Sequence, residues 1–220
     1  MNPTLTVFTP TYNRAYSLHL CYESLLRQTS NDFKWLIIDD GSTDSTKQLV
    51  DEWIEEAPFE IGYVFQENQG MHGAHNTAYE QINTELNVCI DSDDFMTDDA
   101  VEKIVRFWKE YGNGKYSGII ALDATTDKQT LGTVLPENMT SSTLFDLYQK
   151  HGVTGNKKLI YRTELTKQYP YPLFENEKYV GLTYKYFKLD QQYELLLMNE
   201  VVCYVEYQVD GSSLNMYRQY

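Results

Sequence analysis

Short apolar runs recur through the first half of the chain, each stopped by a polar loop: TLTVFT (4–9), FKWLII (33–38), IGYVFQ (61–66) and LNVCI (86–90). Unbroken apolar runs of this length read as strands buried on both faces. Between them the apolar positions change to helical spacing, as at Leu18, Tyr22, Leu25 and Leu26. Val50, Trp53 and Ile54 form a second such face, Ala74, Ala78 and Ile82 a third, and Val101, Ile104, Val105 and Trp108 a fourth. Ser42 or Thr43 is expected to cap the second helix, and Asp98 or Asp99 the fourth. The order βαβαβαβ predicts a mostly parallel central sheet flanked by helices, with right-handed crossovers.

After residue 111 the pattern is less regular. It predicts strands at 116–122, 157–162, 195–198 and 201–207, and helices near 141–149 and 177–187. With no linker or internal repeat, residues 1–110 and 111–220 are expected to be two halves of one domain, the second a smaller lobe folded onto the first.

In α/β sheets of this kind ligands bind beyond the carboxyl ends of the strands. The polar clusters fall there: TPTYNR after the first strand, DDGSTD after the second, ENQGMHGAHN after the third and DSDD after the fourth. Net charge is −14, and it is uneven: −13 over residues 1–110 and −1 over residues 111–220. That balance disfavours nucleic acid as a partner. No apolar run is long enough to span a bilayer, and the N-terminus lacks a signal-peptide layout. Cys21, Cys89 and Cys203 show no metal-type or redox-type spacing, which fits reduced core cysteines in a cytoplasmic protein.

DSDD (91–94) poses the central question, because three carboxylates crowd the tip of an apparently buried strand. Either the segment is a solvated, helix-capping turn, or something positive sits beside it. Asp98 and Asp99 are there to cap, so Asp91 and Asp93 remain for a hard divalent cation such as Mg²⁺ or Mn²⁺. Asp39, at a strand end, is placed to accept from a base N–H, or only to meet a helix N-terminus. Tyr12 and Arg14 offer a ring for stacking and a cation, or ordinary packing.

FTPTYNRAYSLHLCYESLLRQT, LIIDDGSTDST, ENQGMHGAHNTAY and CIDSDDFMTDDAVEKI, in that order, resemble the nucleotide-binding half of a family 2 glycosyltransferase with the GT-A fold. The resemblance covers residues 4–110, with weaker agreement in YPLFENEKYV and EYQVDGSS. It implies an inverting, metal-dependent transferase that moves a sugar from a nucleotide-diphosphate sugar, usually of UDP, to a hydroxyl acceptor. It further implies that Thr9, Tyr12 and Asp39 bind the base, that Asp91 meets the ribose or metal, and that Asp93 is the main metal ligand. The loop Gly70 to Asn76 would line the sugar-nucleotide site. This chain has Met71 and His75 where many relatives carry Lys and Arg, so His72 or His75, if protonated, would have to supply the missing charge.

A general base is expected from FENEKYV, where Glu175 or Glu177 stands in for the family's E-D pair. An acidic first helical turn is the plain alternative. The family-level expectation is cell-surface polysaccharide or glycolipid assembly, in the cytoplasm or peripherally at the inner face of the membrane. The cations of KKLIYRTELTK (157–167) are candidates for that membrane contact, or for a solvated strand surface. The missing cation and the altered acid pair also suit a non-catalytic sugar-nucleotide-binding scaffold of the same shape. A nucleotidyltransferase would carry a Gly-rich basic loop after the first strand, which TPTYNR is not.

Overall fold

The computed structural model describes residues 2–175 and 179–205. The first half follows the predicted alternation: β1 (Leu5–Thr11), α1 (Leu18–Leu26), β2 (Phe33–Asp39), α2 (Thr46–Glu56), β3 (Ile61–Phe65), α3 (Gly70–Gln81) and β4 (Leu86–Cys89). Then come β5 (Phe95–Met96), α4 (Ala100–Tyr111), β6 (Tyr116–Thr125), β7 (Ser141–Ser142) and α5 (Leu144–Gln149). The rest is β8 (Lys157–Arg162), α6 (Thr163–Thr166), α7 (Thr183–Asp190) and β9 (Glu194–Val205).

One sheet holds all the strands, in the order β3-β2-β1-β4-β8-β6-β9-β5, with β7 also paired to β9. The β3-β2-β1-β4 portion is parallel, as expected. Beyond it the sheet is mixed: β8 runs antiparallel to both β4 and β6, while β6 and β9 are parallel. Because β8 pairs directly with β4, both halves of the chain share this sheet.

β1, β2 and β4 are buried on both faces, which explains their unbroken apolar runs, whereas β3, at the edge of the sheet, is only partly buried. On one face Leu5, Val7 and Ile37 pack with Leu18, Leu25, Trp53 and Ile104 from the helices; on the other, Phe8 and Ile38 meet Ala74, Ala78 and Ile82 of α3. Fully burying a side chain of this size contributes about 1.5–3 kcal/mol. A third cluster, around Leu147, Tyr161, Leu189 and Leu195, anchors α5 and α7 to the second half of the sheet.

Three expectations about local structure change. The helix expected near 177–187 is α7, which begins at Thr183, residues 179–182 being non-helical. The strands expected at 195–198 and 201–207 are one strand, β9, within the described residues. The polar Asn199 between them does not turn the chain; its amide clasps the backbone of Leu135, accepting from N–H at 2.8 Å and donating to C=O at 2.9 Å. Helix capping also differs. Asp44 bonds the Thr46 N–H at the start of α2 (3.1 Å), and Gln28 accepts the Val101 N–H at the start of α4 (3.0 Å). Asp99 does occupy the N-cap position of α4, as expected, but its carboxylate takes the Thr97 hydroxyl instead of a helix N–H, and Asp98 pairs with Arg27.

Beneath α7, Lys185 is fully buried. Its ammonium donates to the Thr166 carbonyl at 2.6 Å and sits 3.6 Å from the Tyr79 ring centre and 4.7 Å from that of Tyr171. Burial pushes its pKa down to about 7. Among the described residues no helix is long and apolar enough to cross a membrane.

Candidate active site

The loops after β1 and β2 are stitched together at the carboxyl edge of the sheet. Asn13 adopts a left-handed backbone (φ 53°), donates its N–H to the Ser42 hydroxyl at 2.8 Å and accepts the Thr43 N–H at 2.8 Å. Gly41 sits at φ 90°, where an added Cβ would lie 3.1 Å from the Asn68 nitrogen. This stitching presents Tyr12, which is 50% exposed, beyond the strand end. Arg14 lies against Tyr16, with its guanidinium carbon 5.6 Å from the ring centre. Thr9 is directed into the core, where its hydroxyl accepts the Trp35 indole N–H at 3.0 Å. Its side chain is thus committed to packing, and only its backbone borders the loop.

Asp39 and Asp40 are both buried, and each organises a different loop. Asp39 accepts the Ser42 N–H at 2.7 Å and the Tyr63 hydroxyl at 2.6 Å. Asp40 accepts the N–H groups of Gln69 (2.9 Å) and Gly70 (2.8 Å), placing a carboxylate at the N-terminus of α3. That fixes the direction of α3 and brings the GMHGAHN segment alongside β4.

Within α3, His72 and His75 are both buried. The Nδ1 of His75 is 2.8 Å from the Met71 carbonyl, and its ring stands edge-on to Phe8 and Tyr171. Burial pushes the His75 imidazole down to about 4, against the weaker pull of Asp91. That shift favours the neutral ring and so works against His75 as the replacement for the missing cation. Asn76 does not turn to the site. Its amide accepts the Tyr171 N–H (2.8 Å) and donates to the Tyr171 carbonyl (2.9 Å), clamping the second-half segment onto α3.

The acidic tip divides by exposure. Asp91 is exposed and Asp93 partly so, while Asp94 is buried. Behind them stands Lys158, only 8% exposed, with its Nζ 3.7 Å from Asp94 and 3.8 Å from the buried Asp123. Here is the positive charge that the crowded strand tip demanded. Burial works against the ammonium, yet Asp123 and Asp94 hold the Lys158 pKa above its usual value. Asp94 is pushed up to about 8 by burial and by its aspartate neighbours, with Lys158 opposing.

Sequence reading missed this cation and assigned KKLIYR to membrane contact or a solvated surface. Both readings fail for Lys157 and Lys158, which are buried. Lys157 donates to the carbonyls of Leu131 (2.9 Å) and Thr154 (2.8 Å), closing the loop before β8. Arg162 pairs with Glu164 at 2.6 Å.

A cleft of about 470 Å³ opens at this edge. Its floor carries Asp91, Cys89, His75 and Lys158, and α5 and α7 supply an aromatic wall. The cysteines are free, as expected. Glu175 is exposed in the turn that precedes α7, and Glu177 lies outside the described residues, as does EYQVDGSS. Tyr171, held by Asn76, donates its hydroxyl to the Leu182 carbonyl at 3.1 Å. Among the described residues no three His, Cys, Asp or Glu side chains converge on a metal position. Asp91 and Asp93 nevertheless fit a hard cation, being accessible carboxylates that leave most coordination positions for phosphate oxygens and water.

Residues 6–169 match the family model described as Glycosyl transferase family 2. An E. coli chondroitin synthase is 37% identical over 100 residues, covering 46% of this chain and 14% of that protein. A Staphylococcus epidermidis teichoic acid poly(glycerol phosphate) polymerase is 35% identical over 98 residues, covering 44% and 14%. An uncharacterized Nostoc glycosyltransferase is 33% identical over 105 residues, 48% of this chain and 33% of that one. The chain therefore spans a third or less of these curated relatives. Among solved structures, S. aureus TarS in complex with UDP-GlcNAc superposes with a TM-score of 0.70 at 22% identity, covering 94% of this chain and 60% of that one. The mannosyltransferase PcManGT from Pyrobaculum calidifontis, in complex with GDP-Man and Mn²⁺, also gives 0.70, at 18% identity and 99% and 60% coverage. With most of its length matched by the family model, and with this GT-A fold, the chain belongs to glycosyl transferase family 2.

Proposed function

We propose that this family 2 chain transfers a sugar, with inversion, from a nucleotide-diphosphate sugar to a hydroxyl of a glycan or lipid-linked acceptor. A UDP-sugar is the favoured donor, and cell-surface polysaccharide assembly at the cytoplasmic side is the favoured setting. The observation that carries this reading is the acidic tip of β4, open to a cleft at the carboxyl edge of the parallel strands. The nucleotide-sugar complexes of the structural neighbours and the polymer syntheses named for the relatives support it.

In this reading Tyr12 stacks on the base, and Asp39 offers a remaining lone pair to its N3–H, since two carboxylate oxygens can accept about four hydrogen bonds. Asp91 and Asp93 would hold Mn²⁺ or Mg²⁺, which would supply positive charge for the diphosphate. His75, neutral and held through Nδ1, shapes the floor of the cleft without adding charge. A carboxylate from the acidic pair before α7, Glu177 or Glu175, takes the proton of the acceptor hydroxyl as the glycosidic bond forms. The anomeric carbon is thereby attacked on the face opposite the leaving UDP, which gives inversion.

Base recognition gives the test. UDP is expected to bind about ten- to hundredfold more tightly than ADP in the presence of Mn²⁺, because an unmet hydrogen bond to a buried carboxylate costs about 1–3 kcal/mol. Calorimetric titration with the two nucleotides reads this directly. If ADP bound as well as UDP, Asp39 would be only the brace between Ser42 and Tyr63.

A further inference from the structure

The wall of the cleft differs in chemistry from its floor. Phe145 of α5 and Phe187 of α7 are 48% and 46% exposed, with ring centres 5.9 Å apart and planes at 77°. This pair is built rather than accidental. Asp190, at the end of α7, accepts the backbone N–H groups of Leu144 (3.1 Å) and Phe145 (2.8 Å), locking the start of α5 against α7. Gln149, Asn156 and Thr183 line the same cleft and are exposed, and their side chains make no hydrogen bond among the described residues.

The cations of the cleft are already committed. Lys157 is spent on loop carbonyls, and Lys158 stands between Asp94 and Asp123. The chain as a whole carries a net charge of −14, which repels polyanions at long range. Exposed rings, uncommitted amides and a hydroxyl, with no available cation among the described lining residues, match a ligand with apolar faces, many hydroxyls and no charge. Away from the metal position at the β4 tip, they offer a phosphate-bearing acceptor no charged donor for its oxygens.

Resting on the transferase reading above, we propose that the acceptor is the neutral end of a glycan, its terminal pyranose lying on Phe145 and Phe187. Gln149, Asn156 and Thr183 bond its hydroxyls, and polyol-phosphate chains are rejected. Specificity on this view comes as much from the missing cation as from the rings present.

The test is a glycan array read with the full chain in UDP and Mn²⁺. The array carries neutral hexose- and N-acetylhexosamine-terminated oligosaccharides beside glycerol-phosphate oligomers. Neutral oligosaccharides are expected to bind, and the double variant Phe145→Ala/Phe187→Ala to weaken them at least about tenfold, with melting temperature and UDP affinity unchanged. Retention of glycerol-phosphate oligomers at equal strength would overturn the proposal. So would neutral binding that ignores the double variant, or no glycan binding by protein that binds UDP. Failure to bind UDP in the parallel titration would instead strike the transferase reading itself.

Discussion

Lys158→Met is expected to cost about 3–5 kcal/mol of folding stability, the usual loss when one partner of a buried ionic cluster is removed. The lysine is 8% exposed, and its two partners, Asp94 and Asp123, are buried as deeply. Without the ammonium, both carboxylates must stay charged and unpaired or take up protons. The sign of the pH dependence follows. Burial already raises Asp94, to about 8, and Asp123 in the same direction. A carboxyl with a raised folded pKa costs least when protonated and most when pH rises above that pKa. The deficit of Lys158→Met should therefore shrink as pH falls from about 8 toward the ordinary carboxylate range. Urea unfolding in EDTA at several pH values measures it, and adding Asp94→Asn and Asp123→Asn should restore much of the loss. A Lys158→Met protein as stable as the wild type at pH 8 would mean that the cluster is not held by this cation.

Glu177→Gln is expected to lower turnover by about 10²–10⁴, the share usually supplied by a general base. The family resemblance places a base in the pair Glu175 and Glu177. Asp91 is the one carboxylate along the described cleft lining, and the proposed reading already assigns it to the metal. Tyr171 and Leu182, which flank the acidic pair in sequence, are joined by a hydrogen bond from the Tyr171 hydroxyl to the Leu182 carbonyl, and Leu182 lines the cleft. UDP affinity should hardly move, because the base acts on the acceptor side. Glu175→Gln is the comparison, with a smaller loss expected. Steady-state assays of both variants decide the assignment: reversed magnitudes would move the base to Glu175, and full activity in both would place it elsewhere.

How far these features were legible in the chain depends on how local their causes are. The βαβαβαβ half was readable because strand burial and helix amphipathicity leave periods of their own in the sequence. β9 was split in two because Asn199 and Glu200 look like a turn. The side-chain clasp that keeps the strand running comes from Leu135, far away in sequence.

Among site residues, exposure at the strand ends followed for Tyr12 and Asp91, since polar tips of buried strands have only the edge to go to. The partners of Thr9, Asn76 and His75 did not, because Trp35, Tyr171 and the aromatic packing around α3 reach them from other parts of the chain. Lys158 left a signal that was available. Two consecutive lysines in a strand point to opposite faces, and in a sheet covered on both sides at least one must be buried. A buried lysine requires an anionic partner, and DSDD was the conspicuous unpaired group.

The most direct measurement is the calorimetric affinity of UDP for wild type and Asp93→Ala, each in Mn²⁺ and in EDTA. Mn²⁺ should tighten UDP binding to the wild type by at least roughly tenfold, about 1.4 kcal/mol, and Asp93→Ala should remove most of that gain. Equal affinity of the wild type in Mn²⁺ and EDTA would contradict a metal-assisted nucleotide-sugar site at the β4 tip.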